Sequence, residues 1–396
     1  MKIAIIGTGI AGLGAAHVLS RAHEVELFEA NSHVGGHVHT VSHDGLALDT
    51  GFIVHNQENY PNLTRLFREL GVATQPSEMS FSMSCGCGLE WSSRRPWRAG
   101  AGLLLEILRF LRTAGDAEVD GKTFDRFLRD EGYSDSFRWH YLVPMTAALW
   151  STAPGDALEF PAAAGIAFFR NHSMLGLSRS RWRTVVGGSK TYVEALLDRL
   201  GAAVHLAKPV RSLARTAAGV DVRVVGDPPR HFDRVVVATS APRARALLED
   251  VRSDEEELLD AFETTANETV LHTDARFLPT RLSDRSSWNY QSPGCGVMAE
   301  RPSLTYSLNR LQRLDSPTQY CVTLNRTSEL DPASVISVVE DEHPQTTFAS
   351  LKAADSLRTR GVVANTVFAG AWQGNGFHED GLASGLRAAV ALGVSL

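Results

Sequence analysis

Cysteine is scarce in this chain: Cys85, Cys87, Cys295 and Cys321 are the only four in 396 residues. They offer neither a CxxC pair nor the dense framework of a disulfide-stapled domain, so a reducing cytoplasm is the expected setting. The Cys-Gly-Cys at 85–87 reads as a glycine-rich turn, and no metal is expected. An excess of one charge is also missing. The 39 basic and 45 acidic residues are interspersed and leave a formal net charge of −6, which argues against nucleic acid as a partner. No run reaches the roughly eighteen apolar residues of a membrane span. The first twenty residues imitate a secretory leader, but their glycine spacing has a more specific reading, and export is not expected. Repeats and low-complexity linkers are lacking too.

What is present is enough chain for two cores, since single cores stop growing near about 250 residues. The apolar run KIAII at 2–6 ends in glycines, then comes the helix-like AGLGAAHVLSRA, then the strand-like EVELFEA. Strand, tight turn, helix and strand in that order form the unit of a parallel doubly wound sheet. Residues 61–70, with Pro first and Gly71 after the end, predict a capped helix. Segments 102–112 and 123–150 also predict helix, 204–240 predicts short β segments, and 251–262 predicts an acidic helix. Residues 268–275, 303–309 and 319–325 alternate like strands of a second sheet. The C-terminal stretch predicts a strand, a glycine-rich turn and a helix starting near Gly381.

Gly7, Gly9 and Gly12 form G-x-G-x-x-G between the first strand and helix, with Ile10 and Ala11 opening the helix. The first glycine permits a tight turn, the second lets backbone approach a pyrophosphate, and the third lets helix pack on strand. Glu29 closes the second strand, followed by Ala30, and a carboxylate there accepts the hydroxyls of an adenosine ribose. NAD and FAD share this fingerprint. Beyond Glu29 lie Gly35, Gly36 and His37, then a second turn, Asp49-Thr50-Gly51-Phe52.

At these residues the chain resembles the flavin-containing amine-oxidase-like superfamily, in which a GG pair after the acid wraps the flavin side of FAD. The family's usual residue after that pair is Arg, and here it is His37. The segments GFIVHNQENYPNLTRLF, WHYLVPMTAALWS, WRTVVGGSKTYV, SSWNY, LNRLQ and GFHEDGLASGL are similar to a narrower bacterial branch of predicted NAD/FAD-binding proteins. That resemblance covers essentially the whole chain. It implies adenine contact at Val210, a flavin-lining segment from Arg183 to Gly188, and a strand returning to the nucleotide at Ala238 and Thr239. It further implies a C-terminal flavin motif at Gly370, Ala371, Gly381, Leu382, Ala383 and Gly385. The fold class expected is α/β: a Rossmann-type FAD-binding domain (1–75, 185–250 and 360–396) with an inserted α+β substrate domain (76–184 and 251–359).

Phe377, His378, Glu379 and Asp380 precede the expected flavin-facing helix. His378, with an ordinary pKa of about 6.5, suits proton transfer near neutrality; the alternative is that it bonds turn carbonyls while Asp380 caps the helix. Trp372, Tyr290 and Tyr306 are candidate aromatics beside the flavin, as in family amine oxidases. Asn289, Asn309 and Asn325 recur in the predicted sheet, and Asn309 joins the catalytic candidates. For both groups core packing and turn capping is the competing role. Finally, residues 91–112 combine Trp91 and Trp97 with Arg94, Arg95, Arg98, Arg109 and Arg112 and a leucine-rich helix. Such a segment suits a membrane interface, and the competing role is a core helix of the substrate domain preceded by a charged loop.

Some members of the narrower branch are associated with modifying unsaturated or methylated acyl chains. That resemblance implies an FAD-dependent oxidoreductase acting on an unsaturated or branched fatty acyl chain, by desaturation or double-bond isomerisation. The alternatives are an amine or amino-acid oxidase that yields an imine and hydrogen peroxide, and a flavin-bound scaffold for a lipid-modifying partner.

Overall fold

The computed structural model describes residues 1–175 and 180–394. Residues 176–179 of the expected 76–184 segment, and 395–396 of the last segment, lie outside the described residues.

Five parallel strands build one sheet in the order Ala203–His205, Glu24–Phe28, Lys2–Ile6, Arg234–Val237, Thr366–Phe368. Parallel strands need both faces covered, which is why KIAII and RVVV read as continuous apolar runs. On one face Ile3, Ile5, Val25, Leu27 and Val236 pack under the helices Ile10–Leu19 and His378–Ala391. Those two helices lie together because Gly385 carries no side chain: a Cβ there would stand 2.0 Å from the Ala11 carbonyl oxygen. On the other face Ala4, Ile6, Val235 and Val237 pack with Leu259, Phe262, Ala353, Leu357 and Trp372. The helices Ser253–Asp260 and Phe348–Arg360, assigned to the 251–359 segment in the sequence, therefore cover the nucleotide sheet.

Seven strands form a second sheet in the order Val335–Pro344, Thr264–His272, Cys321–Leu324, Leu304–Ser307, Trp288–Ser292, Phe81–Cys85, Glu90–Ser92. Every pairing is antiparallel except Phe81–Cys85 beside Trp288–Ser292. A layer of helices between residues 101 and 171 packs on it through Phe110, Phe124, Phe127, Phe137 and Phe169.

Most predicted elements stand within a few residues of their expected place. Pro61–Leu70 is a helix closed by Gly71 at φ 75°, and Ala101–Thr113 is a helix. The run 303–309 ends early, because Leu308–Leu311 turns into a short helix. The C-terminal helix begins at His378 rather than Gly381. Gly381 sits inside it because a Cβ there would meet Ile10 Cγ2 at 2.8 Å.

Candidate active site

The glycine loop is built as backbone geometry requires. Gly7 has φ +101°, and a Cβ on it would lie 2.6 Å from the Ala238 carbonyl oxygen. A Cβ on Gly12 would lie 2.0 Å from the Gly7 oxygen, whereas one on Gly9 would meet nothing within 4 Å. Gly9 is the N-cap of Ile10–Leu19, whose first turn holds no acid and no side-chain cap. The free N–H groups and the positive end of the helix dipole thus face open space at Gly9, an arrangement that fits a diphosphate.

Glu29 is buried beside this loop and accepts from Thr8 N (3.0 Å), Thr8 Oγ1 (2.5 Å) and Asn31 N (2.9 Å). Ala207 N and Lys208 N donate to the carbonyls of Asn31 and Glu29, which brings the segment leading into Val210 alongside Ala30. Gly35 and Gly36, at φ +116° and +57°, fold over Gly9 so closely that a Cβ on Gly36 would stand 3.0 Å from its Cα. His37 is exposed, and its carbonyl accepts Phe52 N (3.0 Å). Its side of the Gly51 turn is equally tight: a Cβ on Gly51 would sit 2.0 Å from that carbonyl oxygen. Thr50 Oγ1 bonds His39 Nδ1 at 2.7 Å.

Asp49 anchors the next layer. Its buried carboxylate accepts Ser189 N and Oγ, Thr40 Oγ1 and Gln312 Nε2, all within 3.0 Å. Burial pushes its pKa up to about 6, and the donors pull the other way. None of Ser189, Gln312 and Thr8 stood out in the sequence, because each is joined to its partner by the fold and not by a motif.

His378 stacks on Phe52 with centroids 4.0 Å apart and planes 12° apart, and its Nε2 lies 2.5 Å from the hydroxyl of fully buried Tyr192. Burial first, then the charges of His37 and His55, push its pKa down to about 3. The expected imidazole titrating near 6.5 is therefore corrected to a neutral ring. Glu379 caps the helix Pro61–Leu70 by accepting Asn62 N and Leu63 N, and Asp380 accepts Phe377 N.

Four other candidates need correcting. Asn309 pins a turn, accepting Tyr320 N (2.8 Å) and donating to Thr318 O (2.8 Å). Trp372 lies on the far face of the parallel sheet, packed 4.7 Å from Phe262, and donates to Thr239 O; Gly370 makes room for it, since a Cβ there would be 2.0 Å from its indole nitrogen. Tyr290 is buried in the second sheet, and Tyr306 packs edge-on against Trp288 at 5.1 Å. Burial raises both phenols, and among the described residues neither bonds or stacks with His378. Buried Asn289 and half-buried Asn325 are structural pins as well. Ala371 opens the short turn Ala371–Gln373, and Leu382 lies in the helix His378–Ala391, packed on Gly14.

A family model for flavin containing amine oxidoreductases matches residues 10–393. The chain belongs to this family. FAD is accordingly its cofactor, and the open Gly9 cradle, Glu29 and the uncapped helix fit that group. Solved structures similar to the oxidoreductase include putrescine oxidase bound to putrescine, at TM-score 0.71 and 14% identity over 99% of each chain. The CLA-producing fatty acid isomerase from P. acnes matches at TM-score 0.68 and 17% identity, over 99% of this chain and 98% of that one. At such identities the likeness speaks to the fold. By sequence, 4,4'-diapophytoene desaturase of Staphylococcus aureus is 48% identical over 52 residues, which is 13% of this chain and 10% of that protein's length.

Proposed function

We propose that this FAD-dependent oxidoreductase acts on an unsaturated or branched fatty acyl chain, introducing or moving a double bond. Bound FAD supplies the two-electron chemistry, and the protein supplies orientation and an apolar surrounding. The observation that carries the reading is the uncharged aromatic wall that starts next to His378. Phe377 stacks on Phe168 (4.7 Å), Phe168 on His172 (3.8 Å), and Trp150 meets Phe168 edge-on (4.9 Å). Trp182 and Tyr60 continue the row. Burial pushes His172 down to about 4, so no ring in the row carries charge near neutrality. The adjacent carboxylates, Glu379 and Asp380, are engaged at helix ends and leave no free anion for an ammonium group.

The surface supports a lipid source for the substrate. Trp91 is buried, but Trp97 is 64% exposed and Leu105 66%, and the same stretch of sequence carries exposed Arg94, Arg109 and Arg112. This is the composition of a peripheral contact with anionic headgroups, made from the cytoplasmic face. Among the described residues no helix is long and apolar enough to cross a membrane.

The test is anaerobic mixing of the purified holoprotein with unsaturated phospholipids or fatty acids, and separately with simple amines, while the oxidised-flavin absorption is followed. Bleaching by lipid alone, or double-bond migration in recovered lipid without net bleaching, supports the proposal. Bleaching by an amine overturns it in favour of an amine oxidase. Unchanged flavin and unchanged lipid leave the scaffold reading.

A further inference from the structure

The hairpin loop after Phe81–Cys85 and the loop after Trp288–Ser292 end side by side, and the fold brings a third element to them. Cys85 ends the first strand, Cys87 lies in the loop after it, Cys295 comes from the second loop, and His140 from the helical segment Arg138–Leu142, which has π-type winding. One donor atom of each, three Sγ and His140 Nε2, all lie within 4.8 Å of one another. Cys85 Sγ to Cys295 Sγ is 3.8 Å, Cys87 Sγ to His140 Nε2 is 3.6 Å, and Cys295 Sγ to His140 Nε2 is 3.3 Å. A tetrahedral zinc with Zn–S and Zn–N bonds of about 2.3 and 2.05 Å sets its ligands about 3.8 Å apart for S–S and about 3.6 Å for S–N.

We propose that Cys85, Cys87, His140 and Cys295 form a structural Zn(II) site. A Cys85–Cys295 disulfide is the competing use of the same sulfurs, but it leaves Cys87 and the aimed imidazole without a role. Four soft or borderline donors converging on one point, in a Cys₃His set, are what zinc takes when it has no open position for chemistry. Binding releases the three thiol protons to solvent, and the site then carries one net negative charge.

The surrounding backbone is shaped to permit this convergence. A Cβ on Gly86 would lie 2.1 Å from the Pro293 carbonyl oxygen, so the two loops can touch only through glycine. Gly86 N donates to Ser292 O, and Gly296, at φ +72°, turns the chain after Cys295 beside the indole of Trp139. His140 is held from behind: its carbonyl accepts Trp91 Nε1 (3.0 Å), and its Nδ1 faces Ser136 Oγ (3.4 Å). A second partner on the ring nitrogen away from the metal is the usual way a ligating histidine is oriented.

The sequence predicted a bare glycine-rich turn at 85–87. It missed the site because the four ligands arrive from segments more than fifty residues apart (Cys87 to His140) and about two hundred apart (Cys85 to Cys295, separation 210). The consequence for the fold is a clamp. His140 leads directly into the helix Val143–Trp150, and Trp150 donates to Asn375 O (3.1 Å) next to the Phe377–His378 turn. The zinc would hold that helix to the edge of the second sheet.

The experiment is element analysis of the full holoprotein, purified under reductant without chelator, together with cobalt replacement and thiol counting. The expected result is about one zinc per chain in wild type and in Cys321→Ser, falling to under about a tenth in Cys87→Ser and Cys295→Ser. Cobalt-loaded wild type should show the d–d bands of a tetrahedral thiolate site at longer wavelengths than the flavin absorbs. Three thiols should become reactive only after zinc is stripped. These wild-type measurements stand even if the serine variants do not fold. Protein that takes up neither zinc nor cobalt overturns the proposal, as does a Cys85–Cys295 disulfide in protein kept under reductant. Another transition metal at one per chain overturns the zinc assignment.

Discussion

The Tyr192 hydroxyl lies 2.5 Å from Nε2 of His378, joining residues 186 apart in sequence. Tyr192 is fully buried, with its pKa pushed well above the ordinary phenol, and His378 is pushed down to about 3. A neutral phenol therefore shares a hydrogen bond with a neutral imidazole.

A first prediction follows from that neutrality. The rate of flavin reduction by the true substrate should show no inflection near pH 6.5 attributable to His378, because its folded pKa lies far below that value. Tyr192→Phe should keep FAD and slow reduction by about tenfold through a loosened imidazole. Anaerobic stopped-flow profiles across about pH 5 to 8 check both. An inflection near 6.5 that disappears in His378→Gln contradicts the first.

The two glycines of the dinucleotide loop should separate binding from folding. Gly9→Ala places its methyl in open space, so apoprotein stability should be unchanged while FAD affinity falls. Gly12→Ala drives a methyl into the Gly7 carbonyl and should destabilise the apoprotein itself. Flavin content measured beside apoprotein Tm distinguishes the two.

Asp49→Asn should lower Tm. The amide keeps one acceptor but turns an NH2 group toward Ser189, Thr40 or Gln312, all of which donate. An unsatisfied buried donor costs about 1–3 kcal/mol. Calorimetry of both proteins at neutral pH reads the loss.

Acid should unfold the protein earlier than carboxylate protonation alone dictates. His55, His172 and His272 are each pushed from 6.5 down to about 4, with burial as the first cause. A histidine with a depressed folded pKa binds fewer protons folded than unfolded, so its stability is complete above 6.5 and is lost as pH falls toward 4. His272 is the clearest case, since Asp274 N–H donates to its Nδ1 and Nε2 faces Thr323 Oγ1, leaving no place for a second proton. Tm measured from pH 7 to 4 should fall steeply, and His272→Gln should flatten part of that slope.

If the 91–112 surface meets lipid, wild type should float with anionic liposomes and Leu105→Glu/Leu108→Glu should not, at unchanged Tm. Both leucines are exposed, so the substitutions cost the fold little. Equal flotation of the two proteins removes this contact from the proposal.

The dinucleotide turn was legible because backbone sterics demand glycine at fixed spacing next to a strand and a helix. The edge strand Val335–Pro344 was not: none of its ten residues is fully buried, so it carries no apolar alternation to read. Gly381 looked like a helix start, yet it lies within the helix as a contact point for Ile10, as Gly385 does for Ala11. Asn309 and Trp372 were chosen by residue type, and only tertiary structure shows a turn pin and a core ring. Tyr192, Asp49 and the ligand cluster depend on partners brought together by chain topology, which no local pattern encodes.

The single parallel pairing of the second sheet has a bearing on biosynthesis. Ser80 and Ser287 bond across that junction from 207 residues apart, and the nucleotide sheet receives its last strand only at Thr366–Phe368. A nascent chain therefore emerges with two incomplete sheets whose edges stay open through most of translation. Production at low temperature with abundant chaperone should consequently raise the yield of yellow protein more than added cofactor does.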